Sequence, residues 1–394
     1  MNLALLTRVR RQLAAQTQPG ADRGRTRGWT HRSAKADIVK ALCATGAAPP
    51  DQASLLQLSA ALSDDLVGAG PLQPLLDDPE VTDVVVNGTG GVWADRGQGL
   101  QPVPVRLGRP ETIRALACRL AAAAGRRLDA GSPYADVRLP DGTRFHAVLA
   151  PIAASGPYLS FRTHRSKAFT LTQLVEADTL TASMADLLPR IVKARLAFIV
   201  TGGTGTGKTT LLASLLSHAP KEERIVIVED AAELAPDHPH TLTLETRPAN
   251  IEGAGAVDLA ALVRQSLRMR PDRIVVGECR GAEVIELLGA LNTGHEGGAG
   301  TLHCNAAADA PARLEALALP HGLPREGLHA QLVAALRVII HLRRNGTGRQ
   351  VTEIALIETG DARTRQLTVS TAWTRHGPGP SAGILERLLK ERNA

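Results

Sequence analysis

The chain has 394 residues, 44% hydrophobic and 21% charged, with a formal net charge of +6. Such a length and balance give two or three domains with buried cores, and exclude collagen, wholesale disorder and a disulfide-stapled miniprotein. The four cysteines (Cys43, Cys118, Cys279, Cys304) form no CxxC pair, which suits a reducing compartment and offers no zinc ribbon.

The positive charge is local. Residues 1–35 hold eight Lys/Arg against Asp22 alone, whereas the other 359 carry 37 basic and 38 acidic groups. A basic arm on a neutral body, with only two Tyr, three Trp and four Phe, lacks stacking platforms for bases, and no sequence-specific nucleic acid is expected as a partner. No apolar run reaches the ~18 residues that span a bilayer. The opening MNLALLTRVRRQ places its charge after a short apolar run, unlike a signal peptide. The expected location is therefore cytoplasmic.

Residues 1–35 read as a short helix followed by an Arg/Gly-rich arm. Helical spacing then covers 36–68, broken at Ala47-Ala48-Pro49-Pro50, so that 1–69 is a basic arm with a helical extension. The β-branched run Val81–Val86, an Ala-rich helix over 114–125, two strands about Pro140-Asp141-Gly142 and a strand at 158–162 predict an α+β domain over 70–165. A linker is expected at 166–184. From 185 to 360 apolar strands at 197–200, 225–228, 242–244, 273–276 and 300–303 alternate with helices, the pattern of a mostly parallel α/β sheet. Strands at 338–342, 351–357 and 366–369 add antiparallel edges, and 361–394 reads as a C-terminal tail.

Gly202-Gly203-Thr204-Gly205-Thr206-Gly207-Lys208-Thr209 fits GxxxxGK[ST] between a strand and a helix that opens with Thr210. Glycines let the backbone N–H groups face a β-phosphate at the positive end of a helix. Lys208 then supplies charge at the β/γ oxygens and the Thr209 hydroxyl can ligate Mg²⁺. Two further strands run into acids at the edge where ligands gather in such sheets: Glu229-Asp230 with Glu233 close behind, and Glu278 after Gly277, where many P-loop enzymes have Asp. Glu229, with Glu233 in support, and Glu278 are candidates for the water shell of Mg²⁺, and Glu278 for orienting the attacking water. The alternatives are helix capping for Glu229 and Asp230 and an ion pair to Arg280 for Glu278. His295 and His303, eight apart in a Gly-rich segment, fit no finger or helical metal pair; they are either γ-phosphate sensors or structural histidines.

Together the phosphate loop, the acidic box (229–233), the atypical Walker B stretch (270–278) and the His box (293–303) resemble the secretion ATPase superfamily that powers type II secretion, type IV pili and conjugation. The resemblance covers about 70–358. It includes Asp83–Gly88, Arg138–Arg144, Leu244–Gly253 and Leu267–Arg273, which look like the tight-adherence (Tad/Cpa) pilus branch. It implies a RecA-like P-loop NTPase domain behind a PAS-like α+β domain, and an oligomeric ring, usually a hexamer. ATP and Mg²⁺ would sit between the two domains. A motor of this kind would hydrolyse ATP at an inner-membrane platform protein, associated peripherally with that membrane, and swing its domains about the linker. By motif match Arg144 and Arg162 reach the γ-phosphate, with Arg138 a weaker candidate and Arg165 sharing Arg162's role. Conjugation-type translocation and a nucleotide-gated scaffold are the alternatives. The chain departs from its relatives at Gly298, where Ser is usual, and at Cys304, where many have Ala.

Overall fold

A computed structural model describes residues 8–9, 31–45, 51–97, 99–163, 168–247, 249, 254–346, 348–360 and 367–393. Most of the expected basic arm, Arg165, and parts of the 244–253 stretch lie outside the described residues. The chain divides into two units, Met1–His164 and Arg165–Ala394.

In the first unit the helices His31–Ala44 and Gln52–Leu66 bury Ile38, Ala41, Leu42 and Leu62 against one another. Strands β1 (Asp83–Asn87), β2 (Val92–Asp95), β3 (Leu100–Val103), β4 (Tyr134–Arg138), β5 (Arg144–Val148) and β6 (Tyr158–Arg162) form an antiparallel sheet in the order β3-β2-β1-β6-β5-β4. Alternation is strict in β5 and β6: Phe145, Ala147, Leu159 and Phe161 are buried while Arg144, His146, Ser160 and Arg162 face out. The helix Pro110–Ala123 covers the buried face through Ile113, Ala117, Leu120 and Ala121. The sequence reading missed β2 and β3. Each is four residues long, and Pro102 interrupts the β-branched signature in β3.

The second unit is built on a nine-stranded sheet. Its strands are β7 (Ala197–Gly202), β8 (Ile225–Glu229), β9 (Thr241–Glu245), β10 (Arg273–Cys279), β11 (Ala299–Leu302), β12 (Leu336–Asn345), β13 (Gly348–Thr359), β14 (Leu367–Thr374) and β15 (Gly377–Pro378). The order is β15-β14-β13-β12-β7-β11-β10-β8-β9, parallel from β12 to β9 and antiparallel from β12 to β15. Phe198 and Val200 enter one core with the helices Ala182–Lys193 and Lys208–Leu216. Ala197 and Ile199 enter the other, with the helices Leu259–Ser266, Glu283–Asn292 and Arg325–Ala335. Burial on both faces explains the unbroken apolar runs.

Two expected boundaries change. Of the segment read as a linker, residues 168–184 are packed: Thr170 and Gln173 make a capping box for the helix Leu171–Glu176. Leu171, Leu174, Leu180 and Met184 belong to the same buried core as Phe198. A segment so anchored does not supply the hinge expected there. The tail is likewise part of the sheet, because β14 pairs with β13 and the following helix buries Leu385 and Leu389.

At the amino edge of the sheet Arg273 is fully buried. It donates to the carbonyls of Gly297 (3.0 Å) and Val192 (2.8 Å) and pairs with Glu223. Arg195 also pairs with Glu223 (3.3 Å). Removing Arg273 leaves Glu223 with Arg195 alone and strips the buried Gly297 and Val192 carbonyls of a donor. Arg273→Ala is therefore expected to cost the second unit about 3–5 kcal/mol in urea unfolding, against a small effect for Arg268→Ala, a surface residue.

Candidate active site

The parallel register brings the ends of β7, β11, β10 and β8 to one edge, and four sequence-predicted groups meet there. The phosphate loop leaves β7 at Gly202 and enters the helix Lys208–Leu216 through Gly207 at φ +92°. At Gly202 a side chain is excluded: a Cβ would stand 2.6 Å from the Leu342 carbonyl oxygen and 2.7 Å from Thr206 Oγ1. Thr206 Oγ1 donates to the Gly203 carbonyl (2.9 Å), tightening the turn. Thr204 and Gly205 are exposed at the loop's crest, and Thr209 and Thr210 are half-buried in the first turn of the helix. Lys208 Nζ donates to the carbonyls of Gly202 and Gly203, both at 3.0 Å. Burial lowers the lysine pKa, and the charge of Glu278 opposes that shift.

Glu229 ends β8 and is 3% exposed. Its carboxylate accepts the backbone N–H groups of Glu233 and Leu234 (both 3.1 Å), yet burial dominates and lifts its pKa to about 7. Glu233 contributes this backbone donor while its side chain is exposed. Gly277 explains the departure from the usual Asp: a Cβ there would lie 2.7 Å from Glu229 Cγ and 3.0 Å from Oε1. The glutamate of β8 thus fills the space that an aspartate on β10 would need. The β10–β11 register shifts between Val276 and Cys279, an irregularity of the kind that re-aims a side chain beside a site. Glu278 emerges there with its side chain 29% exposed, paired to Arg280, which also reaches Asp230 at 3.5 Å. The ion-pair alternative for Glu278 is thus present, in the same position that suits the catalytic one.

The two histidines part company. His303 follows β11 at the edge that carries the phosphate loop, whereas His295 precedes β11, beside Gly297 and the Arg273 cluster. A four-residue strand separates them by about 13 Å of rise, so in one chain only His303 stands at the phosphate edge. His295 Nδ1 is buried without a hydrogen-bond partner among the described residues.

Arg144 and Arg162 belong to the first unit and are direct cross-strand partners; Arg138 pairs with Arg144 in the same row. Each of the two has a carboxylate partner, Asp136 at 3.7 Å from Arg144 and Asp83 at 3.7 Å from Arg162. Like charges side by side on a sheet repel one another, and these carboxylates offset that repulsion.

Sequence reasoning gave Arg280 only the role of a partner to Glu278 and missed its bridge to Asp230. It also missed two buried groups beneath the loop: His341, whose Nδ1 lies 2.8 Å from Thr201 Oγ1, and Thr301, whose hydroxyl donates to the Gly277 carbonyl (2.6 Å). A histidine within an otherwise apolar strand was the available signal. Among the described residues no three His, Cys, Asp or Glu side chains converge as a metal cage. A hydroxyl (Thr209) and two carboxylates (Glu229, Glu278) at the phosphate edge fit Mg²⁺ held largely by phosphate oxygens and water.

Residues 65–376 match the family model described as Type II/IV secretion system protein. The chain belongs to that family. It is 49% identical over 338 residues to "Putative conjugal transfer protein Rv3659c" of Mycobacterium tuberculosis, covering 84% of this chain and 96% of the relative. It is 33% identical over 289 residues to conjugal transfer protein TrbB of Rhizobium radiobacter (72% and 85%). Among solved structures, the pilus retraction motor PilT with bound ADP aligns at TM-score 0.53 and 20% identity over 82% of this chain and 85% of that one. The Legionella pneumophila ATPase DotB aligns at 0.50 and 20% (75% and 81%). These likenesses show the fold of the secretion ATPase family, a RecA-like sheet with an N-terminal α+β domain. Among the described residues no helix is long and apolar enough to cross a membrane.

Two outcomes follow from the packing of Glu229. Because its folded-state pKa is raised from 4.5 to about 7, the protonated form is favoured by folding. That stabilisation is complete below about pH 4.5 and is lost as pH rises through 7. Glu229→Gln should abolish a decline of up to about 3 kcal/mol between pH 5 and 8 in urea-unfolding stability. Gly277→Ala should displace Glu229 and lower nucleotide turnover at least about tenfold, with a cost of overpacking of about 1–3 kcal/mol.

Proposed function

We propose that this chain is a Mg²⁺-dependent ATPase that drives a pilus or secretion apparatus as a homo-oligomer, with a hexameric ring as the expected form. The observation that carries the reading is the convergence of Lys208, Thr209, Glu229, Glu278 and His303 on one sheet edge around a glycine-shaped phosphate loop. The loop's N–H groups and Lys208 hold the β- and γ-phosphates. Thr209, Glu229 and Glu278 would hold Mg²⁺, which would supply charge neutralisation at those phosphates. Glu278, freed from Arg280, polarises the attacking water. His303 reads the γ-phosphate; His295 is kept as a sensor only for a neighbouring subunit. Arg144 and Arg162 of the first unit reach the same phosphate, so that hydrolysis is coupled to movement of one unit against the other. The docking partner is a platform protein at the inner membrane, with this chain associated peripherally on the cytoplasmic side.

The motifs resemble the tight-adherence branch. A second reading, conjugation-type translocation, is favoured by the names of the two relatives above.

Steady-state ATP hydrolysis against protein concentration tests the core of this. Turnover should rise cooperatively with concentration and fall at least ~10²-fold in Glu278→Gln, and should also collapse in Arg162→Ala. Tight ATP binding with no turnover at any concentration, in the presence of Mg²⁺, would point instead to a nucleotide-gated scaffold.

A further inference from the structure

Strand β12 lies beside the phosphate-loop strand with Leu342 opposite Gly202. It does not stop there. Arg343, Arg344 and Asn345 carry it beyond the loop's first glycine before the chain returns as β13, setting Arg349 directly opposite Arg344. The hairpin therefore overhangs the edge where the phosphate loop begins.

The return strand comes close to the loop itself. A Cβ on Gly207 would lie 3.4 Å from Arg349 Cδ, so the aliphatic stem of Arg349 runs across the residue that opens the Lys208–Leu216 helix. Arg343, Arg344 and Arg349 are all exposed, and from 343 to 352 the sequence holds no acidic residue. Among the described residues no carboxylate pairs with any of the three. Arginines directly opposite one another on an antiparallel pair repel, and an anion is the species that relieves the repulsion.

We propose that Arg349 is a further nucleotide-binding residue of this chain, its guanidinium meeting the polyphosphate on the α/β side. The inference rests on the nucleotide-binding reading above. Sheet order decides the side. Strands β11 and β10, with His303 and Glu278, flank β7 on one side, and β12 with its hairpin flanks it on the other. Arg349 thus approaches the polyphosphate away from the bond that hydrolysis breaks. It holds ATP and ADP alike and leaves the chemical step to the opposite flank, where Glu278 and His303 stand. A planar guanidinium fork suits two phosphate oxygens better than a lysine does.

The test uses the full-length protein, fluorescent MgATP and MgADP analogues for Kd, and steady-state hydrolysis for KM and kcat. Arg349→Ala should weaken both nucleotides by about tenfold, ~1.4 kcal/mol, and raise KM with kcat within about twofold of wild type. Arg349→Lys should fall between the two. Arg387→Ala, which removes an exposed charge on the C-terminal helix, should leave both affinities unchanged. Unchanged affinities in Arg349→Ala would overturn the proposal, as would a drop in kcat at constant Kd or an equal loss in Arg387→Ala. Lys208→Ala separates the premises. If wild type binds nucleotide, Lys208→Ala does not and Arg349→Ala is normal, the phosphate loop stands and Arg349 falls. If wild type binds neither nucleotide, both fall.

Discussion

Everything at the candidate site depends on one constraint, the parallel alignment of β7 with β11, β10 and β8. Hydrogen bonding in register forces their carboxyl ends to a single edge, so residues some 20–100 positions apart become neighbours. Each strand is sealed on both faces, Phe198 and Val200 into one core, Ala197 and Ile199 into the other. A strand buried on both sides cannot slide without exposing apolar surface. The edge is therefore a fixed platform, and the phosphate loop, Glu229, Glu278 and His303 inherit its rigidity.

The amino edge is secured differently. Arg273, buried at the start of β10, draws Glu223, Val192 and Gly297 together from three other segments. The Gly297–Gly298 turn admits no side chain: a Cβ on Gly298 would stand 2.6 Å from the Ile274 carbonyl oxygen and 2.7 Å from Leu291. This tightness accounts for glycine at position 298 in this chain. It also gives the neighbouring His295 a structural setting, remote from the phosphates of its own chain. The paired histidines of the sequence motif thus serve opposite edges of one sheet.

Electrostatics at the phosphate edge are set by burial as much as by charge. Desolvation lowers the pKa of Lys208 and raises that of Glu229, so both groups gain from a ligand that restores charge balance. Glu278 is the more exposed of the two glutamates and shares Arg280 with Asp230. One buried acid and one partly exposed acid thus share this edge, and the absence of a Cβ at Gly277 makes room for the buried one.

The sequence by itself determined the phosphate loop, the two acidic strand ends and the alternation of strand and helix, because glycine spacing and apolar periodicity are local signals. Only the tertiary structure decided that residues 168–184 and 367–393 are packed parts of the second unit. Their capping box and sparse leucines acquire meaning only against β7 and β13. It alone separated His295 from His303, since eight residues of sequence do not reveal which side of a crossing strand each one occupies. And it alone brought the Arg343–Arg349 hairpin over Gly207, because the pairing of β12 with β7 joins segments about 140 residues apart. Local chemistry is written in neighbouring residues; the edge at which distant residues meet is written in the register of the sheet.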